Sequence, residues 1–122
     1  MVNWNELYKI RINNYSEAFA KHEVVKLLIV SALLNKYHSK KKYQEIYTEY
    51  PVCEGKVCDV YHLNNLTKEE YFYEVQSNIS KVWLEQLKQT YGKMEKDYII
   101  VDLNKLSDNL PELNKQIKEL II

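Results

Sequence analysis

The sequence predicts an α/β domain in which a mixed four-stranded sheet carries helices on both faces. Three observations predict it. The strand-like runs "YQEIYTEYPVC" (43–53), "VCDVYHL" (57–63) and "YFYEVQ" (71–76) follow one another on short polar links. Helical patterns stand before and after them. A nearly continuous apolar run, "DYIIVDL" (97–103), then follows the second helix. Strands on short links form an antiparallel meander, and a strand reached through a helical crossover lies parallel to the last of them.

The first element, "SEAFAKHEVVKLLIVSALLNKYH" (16–38), is a long helix, with Ser16 as N-cap and Glu17 at the positive end of the dipole. Ala20, Val24, Leu27, Leu28, Ser31 and Leu34 fall on one face by helical spacing. Lys40, Lys41 and Lys42 break that pattern. Pro51 makes the end of the first strand irregular or places it at a sheet edge. Glu54-Gly55-Lys56 turns into the second strand, and "NNLTKEE" (64–70) leads to the third. Ser80 caps the second helix, "KVWLEQLKQTY" (81–91), which Gly92 ends. The run at 97–103 suits a strand buried on both faces, typically a central parallel one. Pro111 sits in the first turn of the last helix, "PELNKQIKELII". The order α, β, β, β, α, β, α fills residues 1–122 as one domain.

A chain of 122 residues supports one modest core. Seventeen Lys plus Arg balance seventeen Asp plus Glu, so a polyanion partner is neither demanded nor excluded, because a local patch suffices. No apolar run approaches a membrane span, and "MVNWNELYKIRINN" lacks the apolar core of a signal peptide. The expectation is therefore a cytoplasmic protein with no membrane partner. Cys53 and Cys58, separated by "EGKV", lack metal-site spacing. They read as two reduced, small apolar residues on neighbouring strands, with a hairpin disulfide as the alternative.

The acids carry more information. Residues two apart share a strand face, so Phe72, Glu74 and Gln76 point one way, and Tyr71, Tyr73 and Val75 the other. A charge in mid-strand between helices is costly unless it is paired or binds a metal. Asp59 poses the same problem one strand earlier, in a setting aspartate disfavours. Two such carboxylates suit one hard cation, Mg²⁺ or Mn²⁺. Glu23, between Phe19 and Leu34 on the helical wheel, is either satisfied by a basic partner or aimed at a polar site beneath the helix.

Glu23 in the first helix, Asp59 in the second strand and Glu74-Val75-Gln76 before the second helix resemble the PD-(D/E)xK nuclease superfamily over roughly residues 16–105. The arrangement is similar to archaeal Holliday junction resolvases, and "YEVQSNIS" resembles the Glu-x-Gln segment of competence-associated CoiA-type members. The resemblance implies a restriction-endonuclease-like αβββαβ core followed by a C-terminal helix. It implies DNA as partner and Mg²⁺ (or Mn²⁺) held by Asp59, Glu74 and the Val75 carbonyl, with Glu23 acting through water or a second ion. The resemblance implies in-line hydrolysis of a phosphodiester bond, with branched or recombination intermediates as candidate substrates. Gln76 departs from the family, which usually has lysine there. Members with a displaced lysine supply it from the following helix, where Lys81 stands. Many small members of that family are homodimers, because two cuts need two sites; the apolar C-terminal helix is a candidate surface for such a dimer or equally a part of the core. The alternative is a catalytically inactive module of the same fold that binds nucleic acid or a partner protein, favoured by Gln76 and the zero net charge.

The remaining candidates have plainer readings. Lys40 to Lys42 with Lys36 form a phosphate patch or a solvated surface, and Lys88 a solvated surface. His22, His38 and His62 lack ligand spacing and read as structural or surface residues. Tyr47, Tyr50, Tyr61 and Tyr71 read as core and rim, with stacking on unpaired bases as the other use. Glu45 and Glu49 lie on the first strand, where Glu49 borders the expected metal site; Glu85, Glu95, Asp97 and Asp102 read as surface or pairing charges.

Overall fold

The computed structural model describes residues 20–53 and 55–121. Its elements are α1 (Ala20–Lys36), β1 (Gln44–Cys53), β2 (Lys56–Asn64), β3 (Glu69–Gln76), α2 (Lys81–Met94), β4 (Ile99–Asp102) and α3 (Leu110–Ile121). Short 3-10 turns, His38–Tyr43 and Leu103–Lys105, follow α1 and β4. The sheet order is β1-β2-β3-β4, antiparallel across the first three strands and parallel between β3 and β4. The expected α/β architecture, with its mixed four-stranded sheet and C-terminal helix, is present.

Strand alternation sorts the core into two layers. Tyr73 and Val75 of β3 join Val25, Ile29 and Leu33 of α1 and Leu113 and Ile117 of α3. Phe72, one residue before Tyr73 and so of the other parity, joins Leu87 and Tyr91 of α2 on the opposite face. The apolar side of α3 therefore completes the core, since Leu113, Ile117 and Ile121 are all buried.

The structure corrects several local expectations. Val25, Ile29, Val30, Ala32 and Leu33 are the buried apolar residues of α1, whereas Leu27 is 38% exposed. That helix is apolar almost all round its middle and touches both the sheet and α3, so spacing alone did not select the buried arc. Gly92 lies inside α2, which continues to Met94; Glu95 takes the left-handed cap position at φ 55°. Partly buried Met94 packs against the core cluster, so the extra turn covers apolar surface. The apolar run at 97–103 yields only a four-residue strand at the sheet edge. Ser80 does cap α2, accepting from the Trp83 amide at 3.1 Å. Cys53 and Cys58 are free thiols, the first exposed and the second buried. Ser16, Glu17, Phe19 and Glu54 lie outside the described residues.

One irregularity positions the site. Glu49 has φ +52° within β1, although the pairing runs through it from Thr48↔Val60 to Tyr50↔Cys58. Tyr47 and Tyr50 both pack on the α2 layer, as do Cys58 and Tyr61. Residues three apart should face opposite sides, so alternation slips once in each strand, at the level of Glu49 and Asp59. The β2–β3 pairing ends at Val60↔Tyr73, which leaves Asp59 just past the ladder.

Candidate functional site

At this end of the sheet the first turns of α1 meet the slipped strands. Lys26 is 1% exposed, and its Nζ donates to Glu23 at 3.1 Å and to Glu49. The left-handed backbone at Glu49 turns that side chain towards α1. His22 bridges two acids, with Nδ1 3.3 Å from Glu23 and Nε2 3.3 Å from Asp59. The other oxygen of Asp59 accepts the Val75 amide at 2.7 Å, so the side chain replaces the acceptor lost where the ladder stops.

The electrostatics follow from these contacts. For Lys26, burial opposes the charge, but hydrogen bonds to Glu49 and Glu23 outweigh it and its pKa is raised. The hydrogen bond to Asp59 raises that of His22 against the effect of burial, and Glu23 adds to the rise. Both shifts favour the charged form of the side chain.

Glu74 is placed differently. It is 8% exposed, lies on the α2 layer and accepts the Tyr91 hydroxyl through Oε2. No donor among the described residues reaches its Oε1. Burial pushes its pKa up to about 7; the Tyr91 hydrogen bond pulls it down, while the charges of Asp59 and Glu49 push it further up. Cys58 lies beside it, donating to the Val60 carbonyl at 3.1 Å, and burial pushes that thiol far above its usual range. It is no nucleophile.

The structure thus gathers Glu23, Asp59 and the Val75 amide, and brings Glu49 to them through Lys26. Asp59 turns to α1 and Glu74 to α2. Gln76 accepts from the adjacent Ser77 amide at 3.2 Å, away from the cluster. Lys81 is exposed at the start of α2 and makes no hydrogen bond or ion pair among the described residues. His22, read as structural or surface, belongs to the site. Lys26 and Tyr91 were missed altogether. The spacing of Lys26 three residues after Glu23 was a usable signal, since such residues neighbour each other on a helix; nothing local marked Tyr91.

The donor set fits a hard divalent ion in chemistry. Asp59, Glu74 and the Val75 carbonyl offer oxygen only. An extended residue presents its amide and carbonyl to the same edge, so the Val75 carbonyl opens on the Asp59 side. Among the described residues no three Asp, Glu, His or Cys side chains gather closely enough to enclose an ion. Mg²⁺ commonly takes one or two carboxylates and keeps its waters, so that fuller cage is not required. Compared with known proteins, the chain matches no family model, and no curated protein or solved structure matches it significantly.

Proposed function

We propose that the chain is a restriction-endonuclease-like domain that hydrolyses phosphodiester bonds in DNA with Mg²⁺ or Mn²⁺. One observation carries this reading. Glu23, Glu49, Asp59 and Glu74, from α1, β1, β2 and β3, crowd one end of the sheet, with Lys26 and His22 as the cations bonded to them. Such an excess of buried and half-buried carboxylate is what a bound cation relieves. The ion, held by Asp59, Glu74 and the Val75 carbonyl, would supply a more acidic water and stabilise charge on the phosphate. Of the chain's own groups, His22 fixes Asp59 and Lys26 orients Glu23 and Glu49. Lys81, with no hydrogen bond or ion pair among the described residues, is the lysine this reading assigns to compensate for Gln76. Branched or recombination intermediates are the substrates the resemblance suggests.

The test is cleavage of single-stranded, duplex and four-way-junction DNA with Mg²⁺ or Mn²⁺, with oligomeric state measured on the same sample. Cleavage should vanish in EDTA and in Asp59→Ala and Glu74→Ala proteins that keep the parent's circular dichroism. No cleavage of any substrate, or cleavage indifferent to EDTA, overturns the reading.

A second reading has its own support. Tyr91 already holds Glu74, and Gln76 carries no charge. These fit a module that binds nucleic acid or a protein without cutting. Binding retained in Asp59→Ala, with no cleavage by the parent, selects it.

A further inference from the structure

Between α2 and the β1–β2 hairpin lies a hollow of about 170 Å³, lined by Val52, Lys56, Glu74, Trp83, Gln86 and Leu87 among others. Three of its features point to a ligand. Glu74 lines this space and its Oε1 takes no hydrogen bond from the described residues, although the residue is 92% removed from solvent. Trp83, Val52 and Leu87 provide flat and aliphatic walls. Lys56 stands exposed at the rim and has no ion-pair partner among the described residues.

We propose that this hollow receives an unpaired nucleobase, stacked on Trp83, with its polar edge on Glu74 Oε1 and the Gln86 amide and its phosphate on Lys56. The volume lies below the roughly 300–1,000 Å³ of sites for drug-sized ligands, so it admits one ring system. A ring with N–H groups on its edge satisfies that carboxyl oxygen, and an anionic tail satisfies the free lysine. A nucleotide combines both. Stacking on an aromatic side chain is tolerant of base identity, whereas a duplex keeps its bases inside the stack. The inference deepens the hydrolase reading and rests on it only for choosing nucleic acid over other ring-bearing anions.

The chain's two tryptophans are Trp4 and Trp83, so a Trp4→Phe protein reports on Trp83 alone. Its fluorescence is titrated in EDTA with mononucleotides, a single-stranded oligonucleotide and a blunt duplex. Saturable quenching is expected with the single strand, more weakly with mononucleotides and least with the duplex. Lys56→Glu and Gln86→Ala should each weaken single-strand binding by about tenfold. Val82→Ala, at a position 67% exposed on the same helix, should leave it unchanged. Absence of quenching by every probe, or equal binding by the Lys56→Glu and Gln86→Ala proteins, overturns the proposal. Quenching by mononucleotides alone assigns the hollow to a free nucleotide and overturns the strand-bound base. Cleavage with a silent Trp83 removes this proposal and leaves the hydrolase; quenching without cleavage does the reverse.

Discussion

The hydroxyl of Tyr91 donates to the carboxylate of Glu74, tying the second helix to the third strand beneath a layer of apolar side chains. Tyr91 is fully buried and Glu74 nearly so. The bond fixes which way Glu74, a carboxylate whose pKa burial raises strongly, points. Tyr91→Phe should cost about 1–2 kcal/mol in urea unfolding, because a buried acceptor loses its donor. It should also raise the Glu74 pKa above its value of about 7, since this hydrogen bond pulls it down. Carboxyl NMR titration measures the shift.

Glu74 also makes stability depend on pH. Its folded pKa of about 7 lies above the ordinary 4.5, so the folded state binds the extra proton between these values. Its favourable contribution is complete below pH 4.5 and is lost as pH rises through 7. At roughly 1.4 kcal/mol per unit, this amounts to about 3 kcal/mol. Glu74→Gln should therefore unfold later than the parent at pH 8, and the gap should close near pH 4.

His62 acts in the opposite sense. It is 1% exposed, bonds through Nε2 to Gln44 at 2.6 Å and lies against the Tyr37 and Tyr71 rings. Burial lowers its pKa to about 4, with the Lys36 charge adding. Its stabilising contribution is present above 6.5 and lost as pH falls through 4. Because Glu74 works against it over part of that window, the effect is read as the difference between parent and His62→Gln. That difference should narrow by about 3 kcal/mol between pH 7 and pH 4.

Lys26 neutralises two acids from a fully buried position. Lys26→Met should destabilise by about 3–5 kcal/mol, because Glu49 loses its cation and Glu23 keeps only His22. Adding Glu23→Gln and Glu49→Gln should recover most of the loss. Chemical denaturation of the single and triple variants decides it.

Gly92 lies in the interior of α2, and a Cβ there meets nothing within 4 Å. Gly92→Ala should therefore raise stability by about 1 kcal/mol, the helix-propensity difference. A loss would show that the glycine serves the helix end, as its sequence context first suggests.

Much of the architecture was legible along the chain because its causes are local. Alternating apolar runs marked the strands, Ser80 marked the start of α2, and the helical crossover required β4 to lie parallel to β3. Asp59 and Glu74 were visible as acids placed against strand preference. Tertiary structure decided the rest. An α1 apolar nearly all round has no face until a sheet and a second helix press on it. The left-handed Glu49 is not a glycine, so nothing in its identity announced the slip that turns Glu49 and Asp59 towards α1. Parity separates Glu74 from Val75 but does not say which helix covers which side; that assignment gave Glu74 to Tyr91 and Asp59 to His22. Strand propensity acts between neighbours in the chain, whereas the partner of a buried charge is chosen by packing across dozens of residues.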